Sequence, residues 1–334
     1  MSSALLYPPA HLPPALALQL SQQAPSLLQN TPSSISSYSL KSLWSVAESP
    51  ELWTTYENLM MSCLRTCDEQ SAHLCLQRLT ERFGAENERV MAFRGLFQEA
   101  VAEDDAALKK VLEEYEKILS EDPSNMPVSK RRIALLKTLK KIPEAITALN
   151  ELLDSSPIDA EAWAELADLY VSQGMYAQGI FALEEVLLIT PNAWNIHARL
   201  GEVLYIAAGA NDSNADRYLA ESLRRFCRSI ELCDDYLRGY YGLKLVGGVR
   251  EYLGRVVSAR LLGTLPTARS SKSDTGLPLP DIKTVERLNE TATAKLSEIV
   301  RRSAAGEPSW QGYDEASLIA ARELLNRDSD AVTR

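Results

Sequence analysis

One phrase recurs three times in the chain, as YEKILSEDP (115–123), LNELLDSSP (149–157) and LEEVLLITP (183–191). Each copy ends in proline, and Pro123, Pro157 and Pro191 are spaced 34 residues apart. A proline ends a helix because it has no amide hydrogen and its ring clashes with the preceding turn. A 34-residue period in a helix-rich sequence predicts an array of stacked helical hairpins.

The copy that ends at Pro191 has the most complete set of hairpin packing positions. Large residues fill the gap between helices, small residues permit close crossing, and glycine and proline mark the turn and the end of the unit. The predicted core positions are Trp163, Leu166, Tyr170, Gly174, Gly179 and Pro191. The pattern is typical of the tetratricopeptide repeat, so the sequence predicts an all-α tetratricopeptide-repeat solenoid of about five hairpins.

The regions that flank the repeats differ from them in composition. The sequence predicts a flexible Pro-, Ser- and Gln-rich N-terminal arm (1–39), the solenoid (40–265), a polar linker (266–280), an amphipathic capping helix (281–302) and a C-terminal tail (303–334). A short helix near 315–325 is predicted within the tail. The polar stretch GANDSNADR (209–217) predicts a loop inserted into the array.

The composition argues against several classes of partner. The net charge is −10 and the pI is about 5.0, which disfavours nucleic acid and anionic lipid. No apolar run is long enough to span a bilayer, and the N-terminus lacks the basic region of a secretory signal. Five irregularly spaced cysteines fit reduced thiols in a cytosolic protein better than a disulfide framework.

Residues suited to catalysis are scarce. His11, His73 and His197 are too scattered to indicate a triad, and no glycine-rich phosphate loop is present. The residues Cys63, Cys67, His73 and Cys75 leave two interpretations open, a metal site or packing residues, and their spacing favours packing. We therefore expect a non-catalytic protein without a cofactor or metal. Trp44, Trp53 and Trp310 lie outside the recognised repeats and are alternative partner contacts.

The first helix of each hairpin in such an array lines the concave face. The candidate partner-contact residues in this groove are Lys130, Lys137, Glu161, Asp168, Asn195, Glu202 and Tyr205. Lys130 is suitably placed to bind a peptide carboxylate, but Ala134 and Ala164 replace the expected polar clamps. Asp168 and Glu202 predict a groove that attracts basic segments instead.

Five runs carry a more specific resemblance: YEKILSEDPSN (115–125), KRRIALLK (130–137), EAWAELADLY (161–170), YAQGIFALEEVLLITPN (176–192) and RYLAESLRRFCRSIEL (217–232). They resemble the family of the second subunit of the ER membrane protein complex, over roughly residues 40–250. The resemblance implies a peripheral scaffold on the cytoplasmic face of the endoplasmic reticulum membrane. Such a scaffold would support insertion of tail-anchored and multipass proteins.

The partners that this resemblance implies are cytosolic parts of the membrane subunits and another soluble subunit, without direct lipid binding. One alternative is a soluble co-chaperone or adaptor of the same fold that binds peptide segments in its groove. A second alternative is an enzyme, for which the cysteine and histidine residues between 63 and 75 are the only candidate site.

Overall fold

The computed structural model describes residues 3–9, 12–30, 49–210, 215–247, 282–310 and 312–332. The predicted linker (266–280) and Trp44 lie outside these residues. The chain forms two compact units, Met1–Ser155 and Ser156–Arg334. All regular structure in the described residues is helical, so the predicted all-α tetratricopeptide-repeat fold is confirmed.

The first unit contains nine described helices: α1 (Ser3–Leu6), α2 (Pro14–Ser21), α3 (Ala24–Asn30), α4 (Pro50–Arg65), α5 (Glu69–Phe83), α6 (Glu88–Val101), α7 (Asp105–Glu121), α8 (Met126–Thr138) and α9 (Ile142–Ser155). Polar caps fix where several helices begin. The side chains of Ser49, Asp68 and Asn125 accept hydrogen bonds from backbone amides in the first turns of α4, α5 and α8. Helices α4–α9 form three consecutive hairpins.

The second unit contains, in its described residues, α10 (Ala160–Ser172), α11 (Tyr176–Ile189), α12 (Trp194–Ala210), α13 (Ala215–Leu232), α14 (Leu237–Gly247), α15 (Ile282–Ala304) and α16 (Glu315–Val332), with a short 3₁₀ turn at Pro308–Trp310. Helices α10–α13 form two further hairpins, and α14 packs against α15. The described residues of the predicted loop 209–217 are helical instead, because α12 extends to Ala210 and α13 begins at Ala215.

One hydrogen bond recurs at the start of the first helix in three successive hairpins of this unit. Trp163 Nε1 donates to the carbonyl of Pro157 at 2.9 Å, and His197 Nε2 contacts that of Pro191 at 3.0 Å. Tyr240 OH donates to Asp234 Oδ1 at 2.9 Å, where proline is replaced by an aspartate. In each case the side chain reaches back six residues, so this bond marks equivalent positions in the three repeats.

The predicted core positions differ in burial, and Gly174 and Pro191 are exposed at the turn and at the end of the unit. Leu166 and Gly179 are buried, and a Cβ atom on Gly179 would lie 2.8 Å from Val171 Cγ2. Gly174 has φ +72°, a left-handed conformation that favours glycine at the turn. Trp163 and Tyr170 are only partly buried, and the Trp163 ring meets the exposed Phe181 edge-on at 6.1 Å.

The N-terminal region differs from the predicted flexible arm in the residues that are described. Helices α1–α3 pack against α4 and α5, burying Leu5, Leu20 and Leu28. Asn58 Nδ2 donates to the Leu5 carbonyl at 2.8 Å, and the Arg78 guanidinium donates to the Leu28 carbonyl. The leucines that the sequence places among prolines thus complete the core of the first hairpin, because its outer face is otherwise unshielded.

The C-terminal region is also more ordered than the predicted tail. Helix α15 spans Ile282–Ala304, close to the predicted capping helix, and buries an apolar face against α14. Helix α16 runs from Glu315 to Val332, beyond the predicted short helix, and buries Ala321 and Leu324. The Trp310 ring lies beneath the Arg302 guanidinium at 4.9 Å, which connects the intervening turn to α15. Helix α15 is therefore covered in turn by residues of the predicted tail.

Candidate partner-binding cleft

A cleft of about 440 Å³ lies within the second unit, between α12, α14 and α16. Its walls include the side chains of Tyr205, Tyr236 and Tyr241, and its floor is the ring of Phe226. Aromatic walls with a few polar groups at the edge are typical of protein sites that bind peptides and other ligands. We refer to this feature as the tyrosine cleft.

Three of the predicted groove residues, Asn195, Glu202 and Tyr205, line the tyrosine cleft. They lie on one face of α12 because their spacing of seven and three residues follows the helical repeat. Asp168 and Glu161 lie on α10, and both are exposed. Lys130 and Lys137 are exposed on α8, which belongs to the first unit.

The acidic groove residues are paired within the chain by Arg199, which sequence reasoning missed. Arg199 Nη2 lies 2.8 Å from Asp168 Oδ1, and its Nη1 lies 2.8 Å from Glu202 Oε2. These contacts raise the pKa of Arg199, although burial alone would lower it. Asp168 and Glu202 are therefore already engaged by a cation, and the predicted attraction for basic segments is weakened by this pairing.

Helix α14 supplies a second wall that the sequence analysis did not include. Arg238, Tyr241 and Leu245 line the cleft, spaced three and four residues apart on one helix face. Arg238 is exposed, and the described residues provide no ion pair within 4 Å of it. Burial is the main cause that raises the pKa of the neighbouring Tyr236. The α14 wall adds aromatic and cationic character to the cleft.

The recurring hydrogen bond shows how these residues could have been found. His197 and Tyr240 make equivalent bonds, and they are separated by 43 residues instead of 34. The difference of nine equals the length of GANDSNADR (209–217). Adding 43 to Asn195, Ala198 and Glu202, which line the cleft on α12, gives Arg238, Tyr241 and Leu245.

The residues considered as a metal site do not share one environment. Cys63 and Cys75 are buried, and burial raises the pKa of each thiol to about 12. Cys67 and His73 are exposed, and the His73 ring packs near Phe97 at 5.6 Å. No group of three or more His, Cys, Asp or Glu side chains in the described residues has a metal-binding arrangement. Packing accounts for the two buried cysteines.

The other tryptophans that were considered as partner contacts pack within their own units. Trp53 meets Phe83 edge-on at 5.2 Å on the surface of the first unit, and Trp310 lies against Arg302 and Tyr313. Both remain partly exposed. Among the helices that the structure describes, none combines the length and the hydropathy required to cross a bilayer.

Comparison with known proteins relates the chain to one protein family. Residues 85–214 match the model of the EMC2 TPR-like repeat domain. The TPR repeat protein oca3 of Schizosaccharomyces pombe is 35% identical over 245 residues, which cover 73% of this chain and 82% of that protein. The ER membrane protein complex subunit 2 of Xenopus tropicalis is 34% identical over 193 residues. That match covers 58% of this chain and 61% of the frog protein.

One solved structure aligns with the chain at low similarity. The crystal structure of MamA aligns with a TM-score of 0.40 and 15% identity, covering 59% of this chain and 92% of that chain. The sequence matches are more specific than this likeness, and they extend over the repeats that form both units. They also confirm the resemblance that the repeat sequences indicated. This chain therefore belongs to the family of the second subunit of the ER membrane protein complex.

Proposed function

We propose that the chain is a non-catalytic scaffold subunit of the ER membrane protein complex and binds its neighbours through the tyrosine cleft. The family supports the assignment to the complex, since relatives carry the name of that subunit. The tyrosine cleft is the observation that carries the mode of action, because it offers aromatic walls and no arrangement of catalytic groups.

In this proposal the chain acts at the cytoplasmic face of the endoplasmic reticulum membrane. It reaches the membrane through protein contacts with cytosolic segments of membrane subunits and with another soluble subunit. The consecutive hairpins of the second unit suit this role, since they offer more than one first helix to an extended segment. By holding these segments together, the subunit would support the insertion of transmembrane segments by the complex.

The test combines two changes on opposite walls of the cleft. Tyr205→Ala removes an aromatic wall on α12, and Arg238→Glu reverses the charge on α14. We expect the double variant to co-purify with the membrane subunits at least about tenfold less than the unmodified chain, since aromatic and arginine side chains often dominate binding. Arg217→Glu is the matched control, because Arg217 is exposed on α13 and does not line the cleft.

Circular dichroism should show equal helicity for the double variant and the control. If the unmodified chain does not co-purify with the complex, the proposed membership is wrong. If the double variant co-purifies fully, the contact lies elsewhere on the chain. The co-chaperone alternative predicts instead that an isolated peptide ending in a free carboxylate binds the purified chain, and that amidation of the peptide abolishes binding.

A further inference from the structure

The N-terminal region of the chain is free of Lys, Arg, Asp and Glu over an unusual length. All 35 Lys and Arg residues and all 45 Asp and Glu residues lie beyond residue 40. Solvated protein surfaces normally contain about 25–35% of these residue types. The described parts of this region, residues 3–9 and 12–30, form α1–α3 and are here called the N-terminal face.

The N-terminal face is fixed against the first hairpin, so the side chains that it presents outward are defined. Leu5 and Leu20 are at most 2% exposed and point inward, whereas Tyr7 is 77% exposed and Leu18 is 50% exposed. The other exposed residues are prolines, alanine, glutamines and a serine: Pro8, Pro9, Pro13, Pro14, Ala15, Gln19, Gln22, Pro25 and Ser26. This outward surface therefore carries no charged side chain and is mostly apolar.

Removing such a surface from water on binding has a small desolvation cost. Burial of a charged group without a partner is strongly unfavourable, and the buried centres of protein interfaces are depleted of charged residues. The prolines also reduce the conformational entropy that binding would remove, because their φ angles are already fixed. An exposed apolar surface with these properties is a common mark of an interaction site.

We propose that the N-terminal face is a second docking surface, whose partner is an uncharged, largely apolar protein surface on another subunit of the complex. The N-terminal face has no ionised side chain to pair with a charge, so complementarity requires a partner surface that is also neutral. A lipid surface fits less well, since helices that bind membrane interfaces usually carry Lys or Arg beside the apolar residues. This inference rests on the proposed membership of the complex.

The test introduces a positive charge at the two exposed apolar residues. Tyr7→Lys with Leu18→Lys should reduce co-purification of the complex from detergent-solubilised ER membranes at least about tenfold, because the new charges would be buried without partners. Leu74→Lys is the matched control, since Leu74 is 45% exposed on α5 in the same unit. Thermal melts should show unchanged stability for both, because all three positions are exposed.

The outcomes separate this inference from the proposed function. Loss of binding in the double variant but not in the Leu74 control supports the docking surface. Full co-purification of the double variant overturns it and leaves the proposed function intact, whereas failure of the unmodified chain to co-purify removes both. Flotation of the unmodified chain with neutral phosphatidylcholine vesicles would assign the surface to lipid. A monomer–dimer equilibrium in sedimentation that Leu18→Lys abolishes would assign it to a second copy.

Discussion

Gly242→Ala should destabilise the second unit, because the floor of the tyrosine cleft leaves no room for a methyl group. A Cβ atom at Gly242 would lie 2.0 Å from Phe226 Cε1 and 2.1 Å from its Cζ. The Phe226 ring is 4% exposed, and its other face lies near Gly201, where a Cβ atom would be 3.1 Å from the ring. The ring therefore cannot move away without disturbing α12.

We expect a cost of about 2–3 kcal/mol in the free energy of unfolding, at the upper end for a methyl group inserted into a packed core. The intrinsic helix preference opposes this cost by about 1 kcal/mol, since alanine favours a helix more than glycine does. Gly209→Ala provides the control for that preference, because no atom lies within 4 Å of a Cβ at Gly209. The control should be neutral or slightly stabilising.

Urea denaturation followed by circular dichroism would measure both variants. Phe226→Leu removes the outer ring atoms that meet the new methyl group, so the double variant Gly242→Ala/Phe226→Leu should lose less stability than the sum of its two single changes. A coupling of about 1–2 kcal/mol is expected for such contacting residues. Additive effects, or an unchanged midpoint for Gly242→Ala, would refute the close packing of α13 against α14.

Three further substitutions test the turns and the pH response. Lys140 has φ +59° and Gly174 has φ +72°, so both lie in the left-handed region that favours glycine. Lys140→Gly should therefore stabilise the chain, and Gly174→Ala should destabilise it, each by about 1 kcal/mol in urea titrations. Stabilisation by both substitutions would contradict the left-handed turns. Burial lowers the pKa of His197 below its usual 6.5, so the unfolded chain binds more protons and stability should fall as the pH drops below about 6.5 towards the folded pKa. His197→Gln, whose amide can still donate to Pro191, should flatten that part of the pH profile in thermal melts; an equally steep profile would exclude His197 as the cause.

The sequence predicted the repeats well because their signals are local. Proline spacing, helical periodicity and the small residues at Gly174 and Gly179 follow from backbone geometry within one hairpin. The N-terminal helices were missed because short segments among prolines have weak helical signals of their own. Leu5 and Leu20 are helical in the structure where they pack on α4 and α5, so tertiary contacts determine this region.

The candidate site was predicted in part, since a groove position identifies a helix face but not the partners of its side chains. Glu202 lines the cleft, whereas the ion pair of Asp168 with Arg199 depends on how α10 packs against α12. Arg199 follows Ala198, which lines the cleft, and its long side chain reaches the acidic residues on both helices. The charge available to a partner therefore could not be counted from the groove positions alone.

The hydrogen bond that reaches back six residues explains how the repeat geometry continues past the insertion. Tyr240 donates to a side-chain carboxylate where Trp163 and His197 contact proline carbonyls, so the contact is retained although both of its groups have changed. Lys295 Nζ also lies 3.0 Å from Asp234 Oδ2. The hydrogen bonds from Lys295 and Tyr240 lower the pKa of the Asp234 carboxyl group. The aspartate thus both fixes the start of α14 and connects it to α15. Because α14 carries one wall of the tyrosine cleft, the position of that wall depends on this substituted repeat contact.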